Sequence, residues 1–165
     1  MDYEQADLEL LEEQESGLCF PKFHSADALA LGNELVHIAC DYDREIGVRI
    51  VRESDEMVIF QYIMDGKDSR NIQYMESKRA AAKRCGHNSF WAYVDHELHG
   101  NWQEMFDDVP AYLPCAGAYP IKVSGEWIAT LMVSGLHNGQ DHELMIRALS
   151  NYLKTDVPVF RKTIV

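Results

Sequence analysis

The side chains of this 165-residue chain that are best suited to chemistry are its histidines and cysteines. His96 and His99 stand three residues apart in the run Asp-His-Glu-Leu-His and could share one face of a helix. A zinc-protease helix needs two residues between the glutamate and the second histidine, and this run has a single leucine there. We therefore interpret the run as polar surface, with an adventitious metal site as the alternative, and we predict no dedicated metal centre.

The chain has four widely spaced cysteines: Cys19, Cys40, Cys85 and Cys115. This spacing matches neither a zinc-binding pair nor a disulfide framework, so it predicts reduced thiols in a cytoplasmic protein. Cys115 lies between Pro114 and two small residues, which would let another backbone segment or a ligand approach closely. A reactive thiol needs a lowered pKa and no base is adjacent in sequence, so a buried structural cysteine is the favoured interpretation.

Two other histidines lie where predicted helices begin or end. His87 belongs to the junction Gly86–Ser89, directly after the basic segment Arg70–Arg84. That segment could bind an anionic ligand, although a solvated helix face ending at Gly86 is the simpler interpretation. His142 occupies the first turn of the last predicted helix, where it either braces the preceding loop or faces a ligand. Because no Ser-His-Asp order and no clear pair of buried carboxylates is present, we assign no catalytic residue and leave open whether the protein is an enzyme.

Hydrophobic periodicity predicts the elements that must position these residues. Apolar residues recur at helical spacing after Ser25, and they alternate as in a strand between Glu45 and Arg52. The predicted helices cover residues 2–15, 26–41, 69–84, 88–98 and 140–154, the predicted strands cover residues 45–52, 57–64, 119–123 and 127–133, and residues 101–110 are predicted as loop. Two hairpins with helices before, between and after them predict one α+β domain over residues 1–165, with a mostly antiparallel sheet.

The charge of the chain is strongly acidic and unevenly distributed. The formal net charge is −12, and the segment Asp2–Glu15 holds seven acidic residues without any lysine or arginine. We interpret residues 1–16 as an acidic N-terminal helix and residues 155–165 as an apolar C-terminal arm that packs on a neighbour. A field of this sign disfavours nucleic acid and anionic membrane surfaces, and no apolar run approaches the ~20 residues of a membrane span. We therefore expect a cytoplasmic protein without nucleic-acid or membrane partners.

Four stretches of the chain resemble one known family. They are Ala-Leu-Ala-Leu-Gly at residues 28–32, Phe-Gln-Tyr-Ile-Met-Asp-Gly at residues 60–66 with Asn71 following, the basic residues and Gly-His-Asn-Ser within 78–89, and the segment 117–142 with its Ser-Gly-Leu and Asp-His motifs. Together they make the chain similar, over about residues 18–153, to the haem-degrading domain family of GlcG- and HbpS-like proteins. The resemblance is to the stand-alone, uncharacterised branch of that family.

The resemblance implies a profilin-like α+β fold, with a mostly antiparallel sheet of about five strands flanked by helices, and self-association into a homo-oligomer of two or more subunits. Some members of the family bind haem or are associated with its degradation, so the implied ligand is haem or another small anionic molecule. The residues implied to bind it are Lys78, His87, Ser89, Cys115, Gly117 and His142. Where the family carries a histidine followed by two glycines, this chain has Cys-Ala-Gly, so the role of that histidine is open here unless Cys115 replaces it.

Two main functional hypotheses follow. The first is an oligomeric protein that binds haem or another anionic ligand in a pocket between the Gly86–Ser89 junction, the Cys115–Gly117 loop and the start of the last helix. The alternative is a non-catalytic assembly or adaptor protein that acts through its acidic N-terminal helix and apolar C-terminal tail. A weaker third hypothesis, an enzyme that acts on a small metabolite, has no motif that names a substrate.

Overall fold

A computed structural model of the protein describes residues 2–100 and 110–162. In chain order the described elements are α1 (Gln5–Gly17), α2 (Ser25–Ala39), β1 (Gly47–Arg52), β2 (Val58–Ile63), α3 (Ser69–Cys85), α4 (Ser89–His99), β3 (Ala118–Val123), β4 (Glu126–Ser134) and α5 (Asn138–Leu153). No helix within these two segments is both long and apolar enough to cross a membrane. The loop predicted at residues 101–110 lies outside the described residues except for Pro110, and so do the last three residues of the predicted C-terminal arm.

The sheet confirms the predicted α+β class and corrects the predicted number of strands. Its order is β2-β1-β4-β3 and every neighbouring pair is antiparallel. We expected about five strands, and the described residues contain four. A further extended segment reaches the outer edge of β3 through one bridge only, where the amide of Phe20 donates to the carbonyl of Lys122 at 2.9 Å. The chain turns into α2 soon afterwards, so this segment is too short to pair as a full strand.

Helices cover both faces of the sheet because successive strand residues point to opposite sides. Val48 and Ile50 of β1 and Leu131 of β4 face the main core, which they share with α2 and α5. Val51 and Met132 face the other way and pack with Met75 and Ala82 of α3. The result is a three-layer arrangement in which α3 lies across the sheet face opposite to α5.

The acidic helix α1 is packed on the domain through its apolar side. Leu8 and Leu11 join a cluster with Phe90 and Val94 of α4. Residues 155–162 run alongside α1: the side-chain amide of Gln14 donates to the carbonyl of Pro158 at 2.7 Å, and Lys162 pairs with Asp7 at 2.7 Å. We call residues 155–162 the C-terminal arm from here on, and in this structure the arm packs on its own chain.

Helix α3, which carries five of the fifteen lysines and arginines of the chain, begins with a reciprocal cap. The Asp68 side chain accepts from the amide of Arg70 at 2.8 Å, and the Asn71 side chain accepts from the amide of Asp68 at 3.2 Å. The N-cap is therefore Asp68, one residue before the serine at which the sequence placed it. At the other end Gly86 takes the left-handed conformation, as the sequence predicted. These two ends fix the register that turns Lys78 toward the sheet.

Candidate ligand-binding site

The candidate site forms where β3 begins and β4 ends. Because the two strands are antiparallel, Gly117 just before β3 lies beside Val133 near the end of β4, and the amide of Val133 donates to the carbonyl of Gly117 at 2.8 Å. Helix α3 crosses this end of the sheet, and α5 starts directly after the loop that follows Ser134. Two glycine-containing loops and two helices therefore meet at one place.

A buried ion pair joins the two helices at this place. The Lys78 ammonium lies 3.1 Å from the Asp141 carboxylate and 3.1 Å from the carbonyl oxygen of Val133, with the two side chains 7% and 2% exposed. The second oxygen of Asp141 accepts from the amide of Leu136 at 3.1 Å. Burial raises the pKa of Asp141, while the positive charge and hydrogen bond of Lys78 oppose that rise. Lys78 thus links α3 directly to the start of α5, and Asp141 in turn holds the loop that joins β4 to α5.

Gly117 is required at its position by the approach of Lys78. Its φ angle is +131°, a conformation that side chains rarely adopt. A Cβ atom there would contact the carbonyl oxygen of Val133 and would lie 2.7 Å from the Lys78 Nζ atom. Only a residue without a side chain lets the ammonium reach the end of β4, so Gly117 shapes the site without contributing a functional group.

A cavity of about 350 Å³ opens beside the ion pair. The residues that line it are Asn71, Tyr74, Lys78, Leu113, Cys115, Ser134, Gly135, Leu136 and Asp141. Asn71 donates to the Ser134 hydroxyl at 3.1 Å, and no acceptor for that hydroxyl lies among the described residues, so its proton is available to a ligand. Lys78 has three N–H groups and two acceptors among the described residues, so a third N–H is available as well.

The balance of hydrogen-bonding groups in the cavity favours a ligand with acceptor atoms. Lys78 and Ser134 offer donors, whereas both oxygens of Asp141 are occupied by protein donors. Lys67 passes close to Gly135, since a Cβ atom on residue 135 would lie 3.2 Å from its Cε atom, and its positive charge also opposes the rise in the pKa of Asp141. An anionic oxygen, as in a carboxylate, matches these donors and charges.

Cys115 lines the same cavity but is poorly suited to nucleophilic chemistry. Burial raises the pKa of its thiol, and the nearby Lys78 offsets only part of that rise. The thiolate is the reactive form of cysteine, so this side chain is a weak nucleophile near neutral pH. It can still contact a ligand through its sulfur atom, because it lies in the cavity wall.

The structure places the other predicted site residues outside this cavity. Ser89 is fully buried behind the loop, where its hydroxyl accepts from the amide of Ala118 at 2.9 Å and so supports the start of β3. His87 lies against α1: its Nδ1 atom is 2.9 Å from the Glu15 carboxylate, and its ring stacks on Trp91 with 4.4 Å between the ring centres. The hydrogen bond to Glu15 raises the pKa of His87.

His142 is next to Asp141 in sequence but faces a different part of the molecule. It is 2% exposed, its Nε2 atom lies 2.8 Å from the side-chain oxygen of Gln14, and its ring packs beside Phe90 and Tyr119. Burial lowers its pKa to about 3, so the imidazole is neutral at physiological pH. Consecutive helix residues point about 100° apart, which turns the two side chains of α5 toward different neighbours.

The structure therefore brings Lys78, Cys115 and Gly117 together, and it separates them from Ser89, His87 and His142. Sequence reasoning missed Asn71, Tyr74 and Ser134 as cavity residues. Asn71 and Ser134 stood within the stretches that carried the family resemblance, so a signal for them existed. Tyr74 had no such signal, because its position follows only from the way α3 crosses the sheet.

Comparison with known proteins identifies the family. A family model described as haem degrading protein HbpS-like matches residues 23–150, which is most of the chain. The protein belongs to the HbpS-like family. The resemblance predicted from the sequence is thereby confirmed. The matched range contains every element from α2 to β4 and most of α5, and it includes all three residues that meet at the cavity.

Several relatives of this HbpS-like protein are UPF0303 proteins. One from Streptomyces coelicolor is 30% identical over 146 residues, covering 87% of this chain and 91% of its own. One from Rhizobium etli is 30% identical over 157 residues and covers 94% of both chains. Their names give no ligand and no reaction.

Solved structures share the fold of this HbpS-like protein at low sequence identity. The Ybr137w protein matches with a TM-score of 0.79 and 24% identity over 89% of both chains. HbpS matches with a TM-score of 0.61 and 20% identity, covering 79% of this chain and 89% of its own. PduOC, solved as a haem complex, matches with a TM-score of 0.60 and 14% identity, covering 82% of this chain and 97% of its own. These similarities establish the common fold.

Proposed function

We propose that this HbpS-like protein binds a small anionic ligand, with a carboxylate of that ligand held by Lys78 in the cavity beside the Lys78–Asp141 ion pair, which we call the Lys78 cavity. The observation that carries the proposal is the buried Lys78 ammonium, which keeps an N–H for a ligand while its partner Asp141 has both oxygens occupied. A carboxylate in the cavity would meet donors from Lys78 and Ser134 and would have no unoccupied protein carboxylate oxygen facing it. Charge-assisted hydrogen bonds of this kind are the stronger ones in proteins.

Haem is one candidate ligand, and the cavity fits its carboxylates better than its iron. The propionate groups of haem could bind where Lys78 and Ser134 offer donors. Two residues of the cavity wall belong to types that ligate haem iron, Cys115 and Tyr74. Burial raises the pKa of the Cys115 thiol, and the Tyr74 hydroxyl already accepts from Arg70 at 2.9 Å. His87 is held by Glu15 and His142 is enclosed beside Gln14. A volume of about 350 Å³ is at the small end for ligand pockets, which favours a carboxylate group or a compact ligand.

Self-association is part of the proposal. Strand β2 is an edge strand, with β1 as its neighbour on one side in the described sheet. Tyr62 on this strand is 49% exposed, and the nearby Met57 is 54% exposed. An exposed strand edge with large apolar side chains favours pairing with a second chain. We expect a homo-oligomer, with β2 as the first surface to test.

The adaptor alternative has a different structural requirement. It needs the acidic helix and the apolar tail to reach partners, and the described parts of both are packed on the domain. The apolar side of α1 contacts Phe90, and Phe160 of the C-terminal arm stacks on Tyr3 and makes an edge-to-face contact with Phe90. What α1 presents outward is its acidic face, so an adaptor role would depend on charge recognition.

A titration with haem and with iron-free protoporphyrin IX tests the proposal. Binding is followed by absorbance, with size-exclusion chromatography on the same samples. If carboxylate recognition dominates, both porphyrins bind with similar affinity and Ser134→Ala weakens both about fivefold, as expected for one lost hydrogen bond. If Cys115 ligates the iron, Cys115→Ala shifts the Soret band of the haem complex only.

Cys85→Ala is the matched control. Cys85 is also partly buried, but its sulfur contacts backbone carbonyls at the end of α3, away from the cavity. Small carboxylates such as succinate and citrate are titrated by calorimetry to separate compact ligands from porphyrins. Flat titrations with both porphyrins and both acids on a folded, well-defined oligomer would refute the proposed function.

A further inference from the structure

A second lysine lies at the edge of the Lys78 cavity. Lys67 follows the turn after β2, and its side chain runs against Gly135, where a Cβ atom would lie 3.2 Å from the Lys67 Cε atom. Gly135 is itself part of the cavity wall. Lys67 is partly buried, whereas its chain neighbours Gly66 and Asp68 are exposed. The stem of this lysine is therefore held against the edge of the cavity instead of extending into solvent.

The ammonium group of Lys67 forms no hydrogen bond and no ion pair with a described residue. The Asp68 carboxylate is engaged at the cap of α3, where it accepts from a backbone amide of that helix at 2.8 Å. Glu45 lies near the same turn, since a Cβ atom on Gly66 would lie 2.5 Å from its Oε2 atom, but its carboxylate is not within ion-pair distance of Lys67. The positive charge of Lys67 is thus left without a direct counter-charge.

The two lysines reach neighbouring points on one stretch of backbone. The Lys78 ammonium contacts the carbonyl oxygen of Val133, and the Lys67 stem passes Gly135, two residues farther along the chain. Two residues of extended chain span ~7 Å. The charge of Lys67 also opposes the rise in the pKa of Asp141, the residue that pairs with Lys78. Both lysines therefore act on the same part of the cavity.

Ser134 stands between these two points and lines the cavity as well. Its hydroxyl proton is available to a ligand, and so is the third N–H of Lys78. A ligand with a single carboxylate would use these two donors and would leave Lys67 without a counter-charge. A ligand with a second carboxylate a short distance from the first would use all three groups, and charge-assisted hydrogen bonds of this kind are strong.

We infer that the ligand of the Lys78 cavity is a compact dicarboxylate of four or five carbon atoms, with one carboxylate on Lys78 and Ser134 and the other on Lys67. This inference rests on the proposed function, because it uses the same cavity and the same lysine. With single bonds of ~1.5 Å, the two carboxylate carbons of such an acid lie on the order of 4–5 Å apart. Hydrogen bonds of ~2.8 Å at both ends let it bridge the ~7 Å between the two positions.

Succinate and succinamate form a matched pair of probes on the full-length protein. They have the same carbon chain, but in succinamate an uncharged amide replaces one of the two carboxylates. Both are titrated by calorimetry near neutral pH. We expect succinate to bind about tenfold more tightly, as one charge-assisted contact with a partly buried lysine would give. A difference of this size is well above the statistical advantage of a symmetrical ligand.

Four variants separate the second carboxylate from the first. Lys67→Met should remove the preference for succinate and leave the affinity for succinamate almost unchanged, whereas Lys67→Arg keeps a cation and should retain most of the preference. Lys22→Met removes the same charge from an exposed lysine beside the bridge of Phe20, at the far end of β3, and should change neither probe. Ser134→Ala should weaken both probes, because it contacts the carboxylate that they share.

The outcomes distinguish this inference from the proposed function. A preference for succinate that Lys67→Met abolishes and Lys22→Met preserves supports the inference. Equal affinities for the two probes, both weakened by Ser134→Ala, overturn it and leave the proposed function standing. A preference that Lys67→Met leaves unchanged, or that Lys22→Met reduces equally, also overturns it, because a distant charge would then be sufficient. Absence of binding by both probes at millimolar concentration overturns it too, and the porphyrin titrations then decide the proposed function.

Discussion

Acidification should destabilise this protein through His142. In the unfolded chain its imidazole takes up a proton below the ordinary pKa of 6.5, whereas burial lowers the pKa in the folded protein to about 3. The unfolded state therefore binds more protons between these two values, and stability falls as the pH falls across that window. Each further unit of pH well below 6.5 lowers the free energy of unfolding by about 1.4 kcal/mol. From about pH 8 to about pH 5, the loss due to His142 is about 2 kcal/mol.

This magnitude depends little on how far the pKa is lowered. At pH 5 a folded pKa anywhere below about 4 leaves His142 neutral in the native state, so the loss is set by the unfolded chain alone. His87 acts in the opposite direction. Its hydrogen bond to Glu15 raises its pKa, so that its stabilising contribution is fully present below 6.5 and is lost as the pH rises through the folded value.

Urea unfolding at a series of pH values and a fixed protein concentration measures the effect. His142→Gln is the reference variant, because it has no titrating group at this position and can keep a donor toward Gln14. Contributions from His87 and from every carboxylate cancel in the difference between the two proteins. Between about pH 8 and about pH 5, the free energy of unfolding of the wild type should fall by about 2 kcal/mol more than that of the variant. At a typical dependence of that free energy on urea concentration, this difference is about 1 M in the urea midpoint.

A parallel pH dependence of the two proteins would refute the reasoning. It would mean that His142 takes up its proton equally in the folded and unfolded states, which requires the native ring to be in contact with water. An NMR titration of the histidine ring resonances gives an independent answer. The His142 signals should stay in the neutral form at pH 5 while those of exposed histidines shift.

Three further predictions concern the site and its surroundings. Lys78→Met or Asp141→Leu alone should lower the free energy of unfolding in urea by about 3–5 kcal/mol, because each leaves a buried charge unpaired. The double variant should recover most of that loss, and additive losses would contradict this. In thermal unfolding, Gly117→Ala should lower the free energy of unfolding by at least about 2 kcal/mol more than Gly125→Ala. Both positions have positive φ angles, but only position 117 is crowded by neighbouring atoms. Equal losses would show that Lys78 moves aside freely. Reaction with a thiol reagent near neutral pH should be fast for two exposed cysteines and slow for two partly buried ones whose pKa is raised by burial, and four equal rates would contradict the described packing. The fast pair is Cys19 and Cys40, and the slow pair is Cys85 and Cys115.

Local sequence determined the helices and strands of this protein. The spacing of apolar residues predicted α2 and α5, and Gly86 predicted the end of α3, because hydrophobic periodicity and caps act within one or two turns of chain. The composition of the first 16 residues predicted a helix there, and α1 covers Gln5–Gly17. The fifth strand expected from the family resemblance was wrong, because the segment at Phe20 is too short for more than one bridge.

The meeting of side chains was decided only by the tertiary structure. Lys78 and Asp141 are 63 residues apart, and nothing local indicates that α3 and α5 approach each other at the end of the sheet. His87 and Glu15 are 72 residues apart, so the contact that removes this histidine from the predicted pocket could not be read from its junction.

His142 shows most clearly what the sequence determined and what the tertiary structure decided. The sequence predicted it in the first turn of the last helix, as a candidate for the same pocket as Lys78, whereas α5 begins at Asn138 and His142 is its fifth residue. The tertiary structure turned Asp141 toward Lys78 and His142 toward Gln14, in two different directions from one helix. Sequence fixes which residues are neighbours along a helix, but burial and hydrogen bonding to distant segments decide which chemistry each of them serves.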